Sequence, residues 1–289
     1  MAQREMMLTR QAWAEALIEL GEKDPNVVVL DADLSKSTLT NLFGEKFPNR
    51  HFNMGIAEQN MINVAGGLSL TGKIPFVSTY GVFVSGRAWE QIRTSVCYGE
   101  LNVKLGGAHG GISVGPDGAT HQALEEITIM RVLPKMTVIV PADYYEMKKA
   151  VYAAYQIKGP VYLRFNREKV PVVTNDNSPF VVGKANIMRE GSDVTVIACG
   201  PMVAEALDAS EELQMQDISV EVINLHTIKP IDKETILASA KKTGAVVTAE
   251  EHQKAGGMGS AVLETLAENH VVPVEMVGID DTFGESGEP

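Results

Sequence analysis

Cysteine is scarce in this chain of 289 residues, and this scarcity excludes several kinds of site. The two cysteines, Cys97 and Cys199, lack partners at metal-binding spacing, so we expect them to be structural thiols in a reducing cytoplasm. The six histidines include no HExxH arrangement, and CxxC pairs are missing as well. We therefore predict that this chain holds no metal site of its own.

Clustered positive charge is also missing. The chain has 25 Lys and Arg against 37 Asp and Glu, which gives a formal net charge of −12 at pH 7. Nucleic acids and acidic membranes bind to clustered Lys and Arg, so we expect neither as a partner. An anionic substrate would have to meet a few cations that the fold brings together locally.

Long apolar runs are lacking too. None reaches the roughly 18 residues of a membrane span. The first five residues do not begin a secretory signal, which would need a basic start followed by an apolar core. We therefore expect a cytoplasmic protein, and its length allows roughly two domains, each with its own core.

Strand patterns alternate with helix patterns along most of the chain, which is typical of parallel α/β sheets. We predict two three-layer α/β domains with mostly parallel sheets, over residues 1–167 and 181–289. Residues 168–180 are predicted to be a linker because they combine two prolines and two asparagines with little periodicity.

The predicted elements follow from apolar periodicity. The predicted strands are 27–31, 51–53, 74–79, 103–105, 138–140, 161–165, 194–199, 220–225 and 246–250. The predicted helices are 10–20, 57–70, 84–98, 143–157, 202–214 and 232–243, with two more starting near His121 or Gln122 and near 257–260.

The most informative segment is 52–61 (FNMGIAEQNM), where Glu58 follows a short strand at the start of an apolar helix. Taken alone, a glutamate there is explained by its favourable interaction with the helix dipole. A functional carboxylic acid would instead lie in a dry pocket beside a ligand nitrogen. The neighbouring motifs decide between these interpretations.

Two aromatic residues follow the next strand, in the segment 78–83 (STYGVF). Tyr80 and Phe83 are three residues apart, so their rings could share one face where the strand turns into a helix. Aromatic residues at such places usually belong to the core. A flat heteroaromatic ligand would nonetheless need an aromatic face there.

A glycine-rich loop over residues 106–118 carries His109 and leads into the turn 115–122 (GPDGATHQ). Asp117 and His121 lie four residues apart across this turn. Alone, they would be ordinary turn and helix-start residues. So many glycines are costly unless the backbone must approach something closely.

Three further polar residues are scattered in sequence, namely Arg10, Ser37 and Arg167. Each of them, taken by itself, would be interpreted as a surface residue. Ser37 lies in a loop after a predicted strand, at the edge where ligands of open α/β sheets bind. The segment 256–260 (GGMGS) could bind an anion at a helix start. We interpret it as a structural turn between a strand and a helix.

In combination, these motifs resemble the transketolase family, as a pyrimidine-binding domain followed by the family's C-terminal domain. The resemblance spans essentially all 289 residues. Its motifs are ADL with Ser37, GIAEQ ending at Gln59, STYGVF ending at Phe83, and His109 with DGATH ending at His121.

The Gly-Asp-Gly…Asn motif of the family's diphosphate-binding domain does not occur in this sequence. The chain therefore resembles the C-terminal subunit of a split, two-chain transketolase. The resemblance implies thiamine diphosphate as cofactor, with Mg²⁺ or Ca²⁺ held by an N-terminal partner subunit. It also implies self-association to a dimer or heterotetramer, and no activity for the chain alone.

The resemblance assigns the cofactor-binding roles to four residues. Glu58 would hydrogen-bond N1′ of the aminopyrimidine ring and act as a catalytic residue. Phe83 would stack on this ring with Tyr80 beside it, and Asp33 would lie near the thiazolium.

The resemblance also implies a substrate site for sugar phosphates. The reaction would transfer a two-carbon ketol group from a ketose phosphate to an aldose phosphate, as in the pentose phosphate pathway. His121 would be the second catalytic residue and bind the C1 hydroxyl of the donor, and Asp117 would bind an acceptor hydroxyl. The substrate phosphate would be held by Arg10, Ser37, His109 and Arg167, with the arginines making charge-assisted contacts.

Two alternatives stay open on the sequence alone. A deoxyxylulose-phosphate synthase fragment or a 2-oxo acid dehydrogenase beta subunit would also have the helix-start glutamate and the aromatic residue. The synthase usually has an arginine shortly after the aromatic, whereas Arg87 lies further on here. A non-catalytic scaffold is the other alternative, and the set of Glu58, Asp117 and His121 argues against it because a scaffold needs no polar groups in a cleft.

Overall fold

Short apolar segments supply the strands of three sheets, two large ones and a two-stranded pair, in the computed structural model, which describes residues 4–289. The strands are β1 (Met6–Leu8), β2 (Val27–Asp31), β3 (His51–Asn53), β4 (Ile74–Tyr80), β5 (Lys104–Ala108), β6 (Thr137–Ile139), β7 (Val161–Arg164), β8 (Lys169–Pro171), β9 (Asn186–Arg189), β10 (Val194–Ala198), β11 (Val220–Asn224), β12 (Thr227–Lys229), β13 (Val246–Gln253) and β14 (Val274–Ile279).

Helices cover the faces of these sheets. They are α1 (Thr9–Lys23), α2 (Ser35–Thr38), α3 (Asn41–Lys46), α4 (Glu58–Leu70), α5 (Gly81–Arg87), α6 (Trp89–Gln91), α7 (Glu126–Arg131), α8 (Tyr144–Gln156), α9 (Met202–Gln214), α10 (Lys233–Thr243) and α11 (Met258–Asn269). Two 3-10 turns (Pro48–Arg50 and Gly118–Thr120) and one π-helix (Ile92–Cys97) complete them.

The strand order confirms the predicted fold class of two α/β domains with mostly parallel sheets. The larger sheet has the order β12-β6-β7-β5-β4-β2-β3, in which β12 alone runs antiparallel to its neighbour. The smaller sheet has the order β14-β13-β10-β11-β9, in which β9 alone runs antiparallel.

Strand β2 shows why the larger sheet must be covered on both faces. Val27 and Val29 face a core formed with α1 and α8, whereas Val28 and Leu30 face the core that contains α4. Every side chain of this strand is buried. A continuous apolar run of this kind is what a parallel sheet between two helix layers requires.

The two sheets share one of these cores. Residues from β4 and α4, such as Val77 and Met61, belong to the same buried cluster as Ile197, Ile223 and Val262 of the second domain. The domains are therefore packed against each other through apolar side chains.

Five strands lie where no strand was predicted, namely β1, β8, β9, β12 and β14. Strand β12 follows β11 in the chain but pairs with β6, at the edge of the larger sheet. Strand β8 lies inside the predicted linker of residues 168–180 and pairs antiparallel with β1. The domain boundaries at 167 and 181 stay predictions.

Two predicted helices were wrong in detail. The single helix predicted over 84–98 is instead α5, α6 and the π-helix, with a break at Ala88, whose φ is −107° and ψ is 14°. The helix expected to start near His121 starts at Glu126, and His121 follows the 3-10 turn Gly118–Thr120.

Part of the explanation for the glycine-rich loop was also wrong. Gly106 and Gly107 lie in β5, and a Cβ on Gly106 would stand 2.7 Å from the Trp13 ring. A Cβ on Gly107 would likewise meet the Tyr162 ring, at 2.5 Å from its Cζ. These two glycines make room for buried aromatic side chains rather than for a ligand.

Within residues 4–289, no helix combines the length and the apolar character that crossing a membrane would require.

Candidate functional site

The candidate residues converge at the carboxyl edge of the larger sheet. Strands β2, β4, β5 and β7 run parallel and end at Asp31, Tyr80, Ala108 and Arg164. The segments that leave this edge carry five more of the predicted residues, which are Asp33, Ser37, Phe83, His109 and Arg167. Parallel strands bring these distant positions together, and ligands of such sheets bind at this edge.

Glu58 is the first residue of α4, and its side chain is buried with 5% exposure. Its Oε1 accepts a hydrogen bond of 2.7 Å from Nη1 of Arg87. The guanidinium carbon of Arg87 lies over the Phe83 ring, 3.8 Å from the ring centroid. The predicted carboxylate and the predicted aromatic face are thus close enough for one planar group to contact both.

Arg87 was not among the predicted site residues. It follows Phe83 by four residues on α5, and side chains at this spacing lie on the same face of a helix. This spacing could have placed Arg87 beside Phe83 from the sequence, but it could not have identified Glu58 as its partner.

Four rings form an aromatic cluster beside this pair. Tyr80 and Phe83 are stacked with centroids 5.7 Å apart, which confirms that they share one face. His109 stacks on Tyr80 at 3.9 Å. His121 presents its edge to Tyr80 at 5.7 Å and to Phe83 at 5.4 Å.

His109 is 1% exposed and has a positive φ of 58°, a conformation that histidine adopts more readily than most residues. Burial, reinforced by the charges of Arg10 and Arg167, lowers its pKa to about 3. Its ring is therefore neutral near pH 7. The Nδ1 atom is buried without a hydrogen-bond partner, although buried polar atoms are normally paired.

The two predicted arginines approach this ring from different parts of the chain. Arg10 of α1 donates to the carbonyl of Ser37, at 2.9 Å. Arg167 donates to Oδ2 of Asp117 at 3.1 Å and to the carbonyl of Val114 at 2.8 Å. Both positive charges act on His109, so the fold gathers cations at one place in a chain of net negative charge.

Ser37 was predicted to lie in a loop, but it belongs to the short helix α2. Its carbonyl is the group that Arg10 contacts. Ser37 therefore lies close to the guanidinium of Arg10, as the resemblance implied, but it belongs to a helical turn and not to a loop.

Asp33 is held by its contact with Asn53. It has a positive φ of 62°, and its Oδ1 accepts a hydrogen bond of 3.2 Å from Nδ2 of Asn53. Oδ1 of Asn53 accepts from the backbone amide of Gly55 at 2.8 Å. Asn53, which was not predicted, therefore joins Asp33 to the turn that precedes Glu58.

Hydrogen bonds from Gln122 hold the loop that carries Asp117 and His121 in place. Nε2 of Gln122 donates to the carbonyls of Ile112 at 3.0 Å and Glu285 at 3.1 Å. The side chain is only 4% exposed. The second domain therefore contributes to the position of His121 through backbone near the end of the chain.

The turn 256–260 is structural, which confirms its interpretation. Oε2 and Oε1 of Glu250 accept hydrogen bonds from the amides of Met258 at 2.7 Å and Gly259 at 2.8 Å. The Glu250 side chain thus accepts hydrogen bonds from backbone amides that have no partner within the first turn of α11. Among residues 4–289, no group of three or more His, Cys, Asp or Glu is placed to hold a metal ion.

Comparisons with known proteins cover nearly the whole chain. Residues 5–173 match the family model "Transketolase, pyrimidine binding domain", and residues 183–289 match "Transketolase, C-terminal domain". A protein of Methanocaldococcus jannaschii described as a transketolase C-terminal section is 49% identical, over 96% of this chain and 88% of that protein.

Two further proteins match over similar shares of this chain and of their own length. The 6-deoxy-6-sulfo-D-fructose transketolase subunit SqwH of a Clostridium species is 46% identical, over 96% of this chain and 86% of its own length. A solved structure described as "Split gene transketolase, inactive beta4 tetramer" superposes with a TM-score of 0.91 at 51% identity. It covers 97% of this chain and 92% of the solved chain.

Proposed function

Since this chain belongs to the transketolase family, as the C-terminal subunit of a split transketolase, we propose that it forms the pyrimidine half of a thiamine diphosphate site. The complete enzyme would transfer a two-carbon ketol group from a ketose phosphate to an aldose phosphate. The observation that carries this proposal is that the buried Glu58 carboxylate and the Phe83 ring lie close enough for one guanidinium, that of Arg87, to contact both.

The residues present fit the aminopyrimidine ring. The guanidinium of Arg87 touches Glu58 and Phe83 at once, so the two surfaces are spaced for a flat nitrogen-bearing group. A cavity of about 450 Å³, lined by Glu58, Arg87 and residues 56–60, adjoins them. A ring stacked on Phe83 could direct a nitrogen to the carboxyl group of Glu58.

When bound, thiamine diphosphate would supply the electron sink for breaking and forming the carbon–carbon bond. Glu58 would hold a proton at its carboxyl oxygen beside a ring nitrogen. Phe83 and Tyr80 would orient the ring and exclude water, with Asp33 near the thiazolium. His121, at the edge of both aromatic rings, would bind the C1 hydroxyl of the donor.

The cations at the carboxyl edge would bind the terminal anion of the sugar. Arg10 and Arg167 would provide charge, while His109, being neutral, would provide a hydrogen bond. Ser37 would support Arg10, and Asp117 would bind an acceptor hydroxyl. The name of the Clostridium relative specifies a sulfonated sugar. Sulfonate and phosphate are both tetrahedral anions, so the same cations suit either group.

The other half of the site would come from a second subunit. We propose an N-terminal transketolase subunit that binds the diphosphate together with Mg²⁺ or Ca²⁺. The related solved structure is described as an inactive tetramer of beta subunits, which supports the proposal that this chain alone does not turn over substrate. Assembly as a dimer or a heterotetramer, a cytoplasmic location and a place in the pentose phosphate pathway stay parts of the same proposal.

Reconstitution tests this function. The chain, its partner subunit and an equimolar mixture are assayed with thiamine diphosphate and Mg²⁺, first with xylulose 5-phosphate plus ribose 5-phosphate and then with pyruvate. We expect ketol transfer in the mixture only, and none with pyruvate. Full turnover by this chain alone, or activity restricted to pyruvate, would refute the proposal.

A further inference from the structure

Arg87 makes two contacts that no predicted role explains. Its Nη1 donates a hydrogen bond of 2.7 Å to Glu58, and its guanidinium carbon lies 3.8 Å from the centroid of the Phe83 ring. Both contacts use the flat face and edge of the guanidinium, which is the arrangement in which arginine stacks on an aromatic ring and binds a carboxylate.

These are the two surfaces that the proposed function assigns to the aminopyrimidine ring. A ring stacked on Phe83 would need the face that the guanidinium covers. A ring nitrogen at Glu58 would need the carboxyl oxygen to which Arg87 donates. Because two flat groups cannot stack on one face of Phe83 in the same position, the arginine and the ring exclude each other.

The position of Arg87 in the fold allows it to leave. It is the last residue of α5, directly before the break at Ala88, and its side chain is 48% exposed. Rotation about its side-chain bonds can carry the guanidinium toward solvent without moving the buried carboxylate or the strand that bears Tyr80. The contact of a half-exposed guanidinium with an aromatic ring is individually weak, and a ring nitrogen would give the buried carboxyl group of Glu58 a new partner, so the exchange is energetically accessible.

We infer that Arg87 occupies the proposed cofactor site while the site is empty. It pairs with Glu58 and covers Phe83 before the ring binds, and the aminopyrimidine ring displaces it from both. In the absence of cofactor, this arrangement gives the buried Glu58 carboxylate a hydrogen-bond partner and shields the face of the Phe83 ring from water. This inference rests on the proposed function. It adds that Arg87, a residue of this chain, competes with the cofactor for its site.

Calorimetric titration of the assembled two-subunit complex with thiamine diphosphate at fixed Mg²⁺ tests the inference. Arg87→Ala removes the competitor and should bind thiamine diphosphate about 5- to 30-fold more tightly than the wild type. Arg87→Gln can still donate to Glu58 but has no charge to place over Phe83, so its affinity should lie between the two. Arg93→Ala removes an exposed charge from the neighbouring π-helix and should leave the affinity unchanged.

The outcomes separate this inference from the function on which it rests. If the wild-type complex binds no thiamine diphosphate, the proposed function fails. If the wild type binds it while Arg87→Ala binds equally or more weakly, the function stands and the inference is wrong. A purely structural role for Arg87 predicts equal or weaker binding, so only tighter binding supports the displacement.

Discussion

The imidazole of His109 lies face to face with the phenol ring of Tyr80, with the two centroids 3.9 Å apart. This stacking holds the imidazole in a buried position near the charges of Arg10 and Arg167, where a further positive charge is unfavourable. In the proposed phosphate site, the ring would therefore act by shape and hydrogen bonding, and the charge would come from Arg10 and Arg167.

His109→Asn should change how stability depends on pH. The pKa of His109 is about 3 in the folded chain, below the ordinary 6.5, so the unfolded chain binds more protons between these values. The wild type should lose stability relative to the variant as pH falls from about 6.5 toward 4, by up to about 1.4 kcal/mol per pH unit. Asparagine stays neutral and tolerates a positive φ.

Urea unfolding of both proteins between pH 4 and 8 measures this difference. Groups shared by the two proteins, including the buried His226, cancel in the comparison. Parallel stability curves across the whole range would show that His109 is protonated as easily in the folded chain as in the unfolded one.

Asp143→Asn should loosen the connection between the domains. The buried Asp143 carboxylate caps α8 through the amide of Glu146 at 3.0 Å. It also accepts from the amides of Val173 at 2.7 Å and Thr174 at 2.6 Å. An asparagine amide cannot accept at both positions, so we expect a loss of about 2–4 kcal/mol in the free energy of unfolding.

Asp176→Asn is the matched control because Asp176 is exposed in the same connection. Its effect should stay within about 0.5 kcal/mol. Equal urea midpoints for the two variants would contradict the role of Asp143.

Gly106→Ala should destabilise the first domain. The new Cβ would stand 2.7 Å from the Trp13 ring, which is packed between Phe76 and Phe165. Overpacking of this kind costs about 1–3 kcal/mol. Gly67→Ala, in a helix where nothing lies within 4 Å of the new Cβ, should instead stabilise by about 0.5–1 kcal/mol. Thermal unfolding of both variants checks the contrast, and a neutral Gly106→Ala would refute the steric account.

Elements with a strong local pattern were predictable from the sequence. Strand β2 is a continuous apolar run, and α8 begins at an aspartate that caps it and shows helical periodicity. Strands β1, β8, β9, β12 and β14 were missed. β12 has only three residues, and its partner β6 lies about 90 positions earlier in the chain, so no local signal marks the pairing.

The candidate site was predictable as a set of residues and less so as a set of contacts. Glu58, Tyr80 and Phe83 stand in recognisable motifs at or soon after the ends of strands, and the parallel sheet brings these motifs together. The pairing of Arg87 with Glu58 and the fastening of Gln122 to Glu285 join segments far apart in the chain. Such contacts depend on tertiary packing, which cannot be predicted from the periodicity of apolar residues along the sequence.

The role of Glu58 is the centre of this account, and one measurement tests it most directly. In the reconstituted complex, Glu58→Gln keeps the shape of the side chain and removes its ability to exchange a proton. We predict that kcat for ketol transfer falls about 10²- to 10⁴-fold while the complex still assembles. A kcat within twofold of the wild type, in a complex of unchanged assembly, would contradict a catalytic role for this carboxyl group.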